Sequence, residues 1–423
     1  MSFTQYRLKN GLTVLLKELH SAPVVSWWLA YRVGSRNEPT GQTGLSHWVE
    51  HMMFKGTPQF PRGVLDKAID RVGGQWNAFT SADSTMYYET LPAEHLDLAL
   101  RAEADRMLNA EFDPEEVESE RSVIISERQG SENRPTFWLG EQMRATAFQV
   151  HGYHHEIIGD MADLERINRD ELYAHYRRHY VPANAVAVCV GAFQTAELVA
   201  RIEELYGGLA PEPAPALFNR PEPEQMGERR VVVERPGHTA FLRLCYRVPS
   251  ANHPDWFKLE ILDSALTGSS GLSGNKTSRL YQALVKTGIA ASAGGGLQES
   301  LDPYLYSLSL TLNDGQDLAH VESLVLEQIE RLQQDGIRSA ELERAKKQAR
   351  AAFAYGTESV TNQAYSLAMS AMLGDVQWFD TYVAKLEAVS ADDVMDVARR
   401  YLTARNRTVG WLIPTGLDEG EDD

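Results

Sequence analysis

The chain has 423 residues, of which 43% are hydrophobic and 24% are charged, and its formal net charge is −18. This length suggests two or three domains, and the hydrophobic fraction is sufficient for folded cores. The acidic excess argues against binding to nucleic-acid phosphates, and no run approaches the roughly 18 apolar residues that a membrane span requires.

The first residues lack both the basic start and the apolar stretch of a secretory signal. We therefore expect a cytoplasmic protein, or a periplasmic one if a signal peptide was removed before residue 1. The two cysteines, Cys189 and Cys245, lie in apolar runs of the sequence. They are expected to be buried, unreactive thiols.

The first half of the chain is predicted to mix strands with helices. It opens with a β-hairpin, because Asn10-Gly11 is a favoured hairpin turn between strands at 4–8 and 12–17. Hydrophobic periodicity and capping residues predict the elements that follow. These are strands at 24–33, 75–79, 85–91 and 185–190, and helices at 44–54, 63–72, 93–109, 115–129, 137–148 and 169–180.

A segment rich in Pro and Gly at 207–228 precedes a second half of the same mixed character. A loop is expected at 268–274 and a solvated acidic tail at 417–423. The other predicted elements are strands at 230–234, 241–248, 288–295, 304–312 and 408–413, and helices at 256–266, 278–286, 318–334, 339–357, 363–373 and 391–401.

Both halves end in the same order of features. In each, a helix with a basic last turn leads through a loop containing an asparagine, Asn184 or Asn406, into a terminal strand. This similarity predicts one fold used twice. We therefore predict an α+β protein of two similar domains, each a mainly antiparallel sheet with helices packed on it. The predicted division is 1–206 for the first domain, 207–228 for a linker and 229–423 for the second.

The helix predicted at 44–54 carries the pattern H-x-x-E-H. His47 and His51 are four residues apart, so their imidazoles project from one helix face about one turn apart, as two ligands of one metal ion require. Glu50 is close enough to approach the same ion without necessarily binding it. This order of residues is a zinc-peptidase signature.

A catalytic zinc site needs a third protein ligand, and the sequence offers two sources. One is the loop-like histidine cluster His151, His154 and His155. The other is Glu127, which adjoins an apolar patch on the helix predicted at 115–129. Glu120 lies about two turns before Glu127 and hence on the same face. A pair of inward carboxylates requires a cation or a histidine N–H nearby.

The segments 44–57 and 73–80, the pair Tyr87-Tyr88 and the pair Glu120 and Glu127 together resemble the pitrilysin/insulinase family of zinc peptidases, the inverzincins. The resemblance extends over nearly the whole chain. It implies a zinc-dependent endopeptidase with an inverted H-x-x-E-H motif.

The resemblance also implies a role for each site residue. His47, His51 and Glu127 would bind one zinc ion per chain, Glu50 would be the general base, and Glu120 would orient a ligand histidine.

Substrate would be bound by a strand that contains Asn77, Ala78 and Phe79. These residues are expected on a sheet edge, where a peptide adds as a further strand through main-chain hydrogen bonds. An ordinary strand without this role is the alternative.

The second half departs from the family pattern. Active members supply an Arg and a Tyr from this half, whereas the corresponding stretch at 284–292 has neither and places Val285 and Ala291 or Ser292 there. We therefore expect a heterodimer with a sister subunit that supplies the Arg/Tyr pair. The alternative is a homodimer in which Tyr304 or Tyr306 substitutes.

The function that these features predict is hydrolysis of unfolded peptides or oligopeptides held in a closed chamber. Two alternatives are a non-catalytic structural or assembly subunit and a peptidase dedicated to one precursor. Intact His47, Glu50, His51 and Glu127 argue against the first alternative, because a structural subunit does not need all four.

Overall fold

The computed structural model describes residues 3–216, 220–268 and 276–416. The predicted acidic tail at 417–423 and all but the first residue of the predicted loop at 268–274 lie outside these ranges. Within them, no helix is both long enough and apolar enough to cross a membrane.

Eleven strands and fourteen α-helices form in the described residues. The strands are β1 (Thr4–Arg7), β2 (Thr13–Glu18), β3 (Val24–Tyr31), β4 (Gln75–Thr80), β5 (Thr85–Pro92), β6 (Ala185–Gly191), β7 (Arg229–Arg235), β8 (Phe241–Val248), β9 (Ala290–Gly296), β10 (Tyr304–Leu312) and β11 (Arg407–Pro414). The helices are α1 (Leu45–Met52), α2 (Val64–Arg71), α3 (Leu96–Asn109), α4 (Pro114–Glu132), α5 (Phe137–Ala147), α6 (Met161–Leu164), α7 (Arg169–His179), α8 (Thr195–Tyr206), α9 (Trp256–Leu266), α10 (Leu318–Asp335), α11 (Ser339–Gly356), α12 (Val360–Met372), α13 (Trp378–Ala388) and α14 (Ala391–Tyr401).

Most of the predicted elements form within a few residues of their predicted ends. The predicted helix at 278–286 contains a π-helical turn at Tyr281–Val285. Helices α6, α8 and α13 lie in segments without a prediction. In α8 the signal was present, because Leu198, Ile202 and Tyr206 recur every four residues and are all buried.

The strands form two sheets with related topologies. Their orders are β1-β2-β6-β3-β5-β4 and β7-β11-β8-β10-β9. In the first sheet, β6 is parallel to β2 and antiparallel to β3. In the second, β11 is parallel to β7 and antiparallel to β8. The predicted α+β class with two similar sheets is therefore confirmed.

The chain folds into two compact units that exchange segments. Unit 1 comprises the described residues within 1–130, 155–220 and 356–379, and unit 2 those within 131–154, 221–355 and 380–423. Unit 1 therefore includes α12, which packs on β3 and β6, and unit 2 includes α5, which packs on β7 and β11. The predicted domains, 1–206 and 229–423, are each continuous in sequence and so do not include the exchanged segments. This division stays a prediction.

The central strands β3 and β6 of the first sheet are buried on both faces. Trp27 and Leu29 of β3 point into the larger core, whereas Trp28 and Ala30 point into a second core that α12 completes. Double burial explains why β3 is apolar almost throughout instead of alternating with polar residues.

The N-terminus of α1 is held by buried carboxylates. The Glu38 side chain accepts hydrogen bonds from the backbone N–H groups of Gly44 and Ser46, both at 2.7 Å. Asp163 Oδ2 accepts from the backbone N–H and the hydroxyl of Thr43. Burial raises the pKa of Glu38 to about 8, and the two N–H donors act in the opposite direction. These contacts satisfy N–H groups that a helix start leaves unpaired.

Gly44 allows a close approach at this point. It caps α1 with φ of 92°, and a Cβ atom there would lie 2.6 Å from the carbonyl oxygen of Ile158 and 2.9 Å from Leu164 Cδ2. Gly63 caps α2 in a similar conformation, with φ of 74°, but a Cβ atom there would have no neighbour within 4 Å.

We predict that Gly44→Ala destabilises unit 1 by about 2–5 kcal/mol, because left-handed strain and overpacking add at this position. Gly63→Ala is the matched control and should cost only the strain, about 1–2 kcal/mol. Chemical denaturation followed by tryptophan fluorescence measures both. Equal losses for the two variants would contradict the close approach.

Candidate metal centre

Helix α1 presents two histidines beside its buried apolar residues. Trp48, Val49 and Met52 are buried in the core of unit 1. The rings of His47 and His51 lie with their centroids 4.6 Å apart. The predicted i, i+4 placement on one helix is therefore observed.

Glu127 of α4 completes a group of three potential metal ligands. Its Oε2 lies 3.9 Å from His47 Nε2 and 3.7 Å from His51 Nε2. One donor atom from each residue lies within 4.8 Å of the others, and the part of the chain that the structure describes holds no second group of this kind. Two ligands of one tetrahedral zinc ion lie ~3.3–3.4 Å apart. The donor set and its spacing therefore fit a zinc ion.

Contacts along α4 hold it beside α1. The guanidinium of Arg121 lies 4.8 Å from the centre of the Trp48 ring, and it donates to the carbonyl oxygen of Ile167 at 2.7 Å. Arg128 donates to the carbonyl oxygen of Gly159 at 2.6 Å. These arginines flank Glu127 in sequence and fix the helix that carries it.

The predicted inward orientation of this part of α4 is only partly correct. Glu120 and Ile124 are buried, whereas 48% of the Val123 surface is exposed and the Glu127 side chain is half exposed. The buried residues of α4, Val117, Glu120, Ile124 and Arg128, recur every three or four positions, so only one stripe of the helix is buried.

Glu120 is hydrogen-bonded to His51, and its role in orienting that ligand stays a prediction. His51 Nδ1 and Glu120 Oε1 are 2.8 Å apart, which leaves His51 Nε2 facing Glu127. Burial lowers the His51 pKa, but the hydrogen bond to Glu120 and the charges of Glu50, Glu120 and Glu127 together outweigh it, and the net pKa is raised. Burial raises the pKa of Glu120, but hydrogen bonds from His51 and Lys55 bring it below its usual value. A carboxylate on Nδ1 fixes the tautomer in which Nε2 can bind a metal.

His47 is held in the neutral form. Burial, followed by the neighbouring His51, lowers the pKa of His47 to about 3. An uncharged imidazole is the form that ligates a metal ion, so no proton has to be displaced from it near neutral pH.

Glu50 lies next to this group but outside it. Its side chain is buried, and Thr80 donates from Oγ1 to Glu50 Oε2 at 2.6 Å. Burial raises the pKa of Glu50, whereas the Thr80 hydrogen bond and the charge of His51 act in the opposite direction. Thr80 is the last residue of β4, so this hydrogen bond joins α1 to the strand that is predicted to bind substrate.

The predicted substrate strand is an edge strand. β4 lies at the end of the first sheet and pairs with β5 in the described residues. The Ala78 N–H donates to Asn77 Oδ1 at 2.9 Å. The Phe79 ring packs against Trp28 and Tyr365, with centroids 6.3 and 6.0 Å away. The placement on an edge is thus observed, and the role in binding stays a prediction.

The alternative third ligands drawn from sequence lie outside the three-residue group, and a substitute role of Tyr304 or Tyr306 in a homodimer stays a prediction. In unit 2, His151 Nε2 pairs with Asp302 Oδ2 at 3.0 Å, so this histidine is engaged away from the three-residue group. His154 and His155 are also absent from that group. The hydroxyl of Tyr306 is buried and donates to Asp263 Oδ1 at 2.8 Å, so it is not available to a substrate carbonyl. The other alternative, Tyr304, is buried with its ring stacked on Phe148.

At the positions where the Arg/Tyr pair would be expected, this chain has neither an arginine nor a tyrosine side chain. Val285 ends the π-helical turn, and Ala291 and Ser292 lie exposed on β9. Ser292 Oγ bonds to Thr311 Oγ1 at 3.0 Å.

Two residues that support the site, Lys55 and Thr80, were not assigned roles from the sequence. Both lie within the segments 44–57 and 73–80 that carry the family resemblance, which was the one signal for them.

Known proteins resemble this chain over nearly its whole length. The family model "Insulinase (Peptidase family M16)" matches residues 13–161, and "Peptidase M16 inactive domain" matches residues 166–349. A Helicobacter pylori protein named zinc protease PqqE is 30% identical over 414 residues, which cover 96% of this chain and 92% of the relative. The chain belongs to the M16 (insulinase) family of peptidases. All three potential ligands and Glu50 lie in the region that the first model matches.

Further relatives of this M16 chain agree in fold and in name. The crystal structure of a protease from Helicobacter pylori superposes with a TM-score of 0.91 at 28% identity, and covers 98% of this chain and 99% of that one. A Schizosaccharomyces pombe protein named probable mitochondrial-processing peptidase subunit beta is 26% identical over 361 residues, 84% of this chain and 78% of the relative.

We predict that Glu120→Gln lowers zinc affinity by about 10–100-fold, because the amide no longer stabilises the ligating tautomer of His51. Competition with a chromophoric chelator measures the affinity. Glu115→Gln is the matched control, since Glu115 is exposed on the same helix. An unchanged affinity for Glu120→Gln would mean that His51 is oriented by packing alone.

Proposed function

We propose that this M16 chain is a zinc-dependent endopeptidase. The observation that carries the proposal is the three-ligand group of His47, His51 and Glu127 beside the buried carboxyl of Glu50. Two histidines and one glutamate would hold one zinc ion and leave a fourth position open. When bound, zinc supplies a Lewis acid that acidifies a water molecule and polarises a carbonyl group.

Glu50 is the proposed general base. Its carboxylate accepts a proton from the attacking water and later delivers it to the leaving amine. Burial raises the pKa of Glu50 towards the operating pH, which favours both halves of this transfer. Thr80 fixes the position of Oε2 by its hydrogen bond, so the carboxyl group keeps one orientation during the reaction.

We propose that the substrate is an unfolded peptide or oligopeptide, bound in a closed chamber. The edge position of β4 supports an unfolded peptide as substrate. An edge strand accepts an extended chain through main-chain hydrogen bonds, and a folded segment does not present an extended chain. Asn77, Ala78 and Phe79 are the residues beside which the peptide would lie. A dedicated precursor would bind in the same way, so this geometry favours neither general nor dedicated cleavage.

We further propose that the chain works as a heterodimer. The stretch 284–292 lacks the Arg/Tyr pair, and the hydroxyl of Tyr306 is engaged with Asp263. A sister subunit that supplies the pair would complete the site. A homodimer is the second choice, because the described part of this chain offers no equivalent donor at these positions.

We expect Glu50→Gln to retain one zinc ion per chain and to lower kcat/KM by about 10²–10⁴-fold, because the amide cannot accept the proton of the attacking water. Cleavage of a quenched fluorescent peptide and metal analysis of the purified variant measure the two properties. Asp66→Asn, an exposed neutralisation on α2, is the control. Full activity of Glu50→Gln would show that another group is the base, and loss of zinc would show that Glu50 is needed to hold the metal.

The isolated, zinc-loaded chain should cleave peptides about 10²–10³-fold more slowly than its complex with the sister subunit, since this is the usual effect of losing a donor to the transition state. The complex can be isolated from the native cell by a tag on this chain, and a chelator control separates metal-dependent turnover. Equal, chelator-sensitive rates would contradict the heterodimer. No turnover by either preparation would favour the structural-subunit alternative.

A further inference from the structure

The two sheets differ on the face that lies away from the larger core. In unit 1 this face is apolar and α12 covers it with a second hydrophobic core, whose sheet residues are Leu15, Trp28, Ala30, Met86, Val186, Val188 and Val190. In unit 2 the helix on the sheet is α5, which packs on β7 and β11. The adjoining part of the same face, on β8, β9 and β10, carries polar residues and glycines instead of a second apolar core.

Strand register places the polar residues of unit 2 side by side. Arg243 of β8 is opposite Ser309 of β10 and Gly410 of β11. Ser309 is in turn opposite Gly294 of β9. Residues opposite each other in a sheet share one face. The next row on the same face contains Cys245, Ser307 and Gly296.

These small side chains form the floor of a cavity of about 430 Å³ within unit 2. Residues of α5, including Gly140 and Arg144, form another wall. A Cβ atom on Gly294 would have no neighbour within 4 Å, so this glycine leaves open space at the cavity. A cavity of this size is suited to a small group of a ligand rather than to a folded domain.

Two arginines converge on this cavity. Arg243 donates from Nε to Ser309 Oγ at 3.2 Å, and a Cβ atom on Gly140 would lie 3.0 Å from Arg243 Nη1, so this glycine leaves room for the guanidinium. Arg144 is one helical turn further along α5 and lines the same cavity.

The pKa of Cys245 reports the same local charge. Burial raises the pKa of its thiol, and the hydrogen bond to Ser307 and the charges of Arg243 and Arg144 act in the opposite direction. The described residues that line the cavity include no Asp or Glu. Cys245, expected from sequence to be an inert core thiol, is buried but borders this cavity.

We propose that the cavity binds a carboxylate group of a peptide, held by Arg144 and Arg243. Guanidinium groups form planar, charge-assisted and often bidentate hydrogen bonds with carboxylates. The serine hydroxyl groups of the floor add neutral donors. The anionic character of the ligand follows from the cavity, whereas the choice of a peptide rests on the proposed peptidase function. The carboxylate is either the C-terminus of the peptide or the side chain of an acidic residue.

Binding to the zinc-loaded full chain tests this proposal, in the Glu50→Gln background so that the peptide is not cleaved. Fluorescence anisotropy would compare one labelled peptide without acidic residues in three forms. The first form has a free C-terminal carboxylate, the second has a C-terminal amide, and the third has the amide and one internal glutamate. The first two differ by a single charged group, and the third separates the two sources of carboxylate.

We expect at least one carboxylate form to bind about ten-fold more tightly than the neutral amide, or better, as hydrogen bonds between charged groups allow. Arg144→Gln and Arg243→Gln should each remove most of this difference and leave binding of the amide unchanged. Arg331→Gln is the matched control, since Arg331 is exposed on α10 and outside the cavity. Thermal unfolding of each variant checks that it folds, and the two arginines give independent readings if one variant does not.

The proposal would be overturned if the chain with both arginines bound the three peptides with equal affinity. It would also be overturned if an arginine substitution weakened binding of the amide and of the carboxylate forms by the same factor. Absence of binding of every form at millimolar concentration would overturn it as well. Failure of the peptidase function is distinguishable from these results, because the chain with Glu50 intact would then cleave nothing while the arginine-dependent preference for a carboxylate persisted.

Discussion

Burial of one side of α1 is the constraint on which the metal site depends. Trp48, Val49 and Met52 pack into the core of unit 1, so the helix cannot rotate without exposing them to water. With 3.6 residues per turn, this orientation leaves the two histidine rings together beside α4. The carboxylate of Glu38 caps the start of the helix, so its position along the axis is fixed as well.

Three carboxyl groups around these histidines differ in environment, and the difference separates their chemistry. Glu120 is buried and receives hydrogen bonds from His51 and Lys55, which keep it ionised. Glu50 is buried with one hydroxyl donor, and burial raises its pKa. Glu127 is half exposed and faces both Nε2 atoms. Similar side chains can therefore orient a ligand, move a proton and bind a metal because their surroundings are different.

The two units illustrate how a repeated topology can diverge. Each sheet has a terminal strand that is parallel to one neighbour and antiparallel to the other, and in each a helix from a distant part of the chain covers the second face. In unit 1 that face is filled with apolar side chains. In unit 2 the covering helix packs on β7 and β11, and the adjoining part of the face holds Arg243, serines and glycines beside a cavity. The arrangement of the strands is similar in the two units. The size and charge of the side chains therefore decide whether a face packs as a core or borders a cavity.

The sequence by itself determined the α+β class, most of the helices and strands, and the ligand spacing within α1, because periodicity and i, i+4 geometry are local properties. Glu127 and Glu120 were also accessible, through helix spacing and the family resemblance. Only the tertiary structure decided that Thr80 bonds to Glu50, that His151 and Tyr306 are engaged elsewhere, that α5 and α12 pack away from their sequence neighbours, and that Arg144 and Arg243 line one cavity. These contacts join residues far apart in the chain, and such pairings leave no periodic signal in the sequence because packing alone selects them.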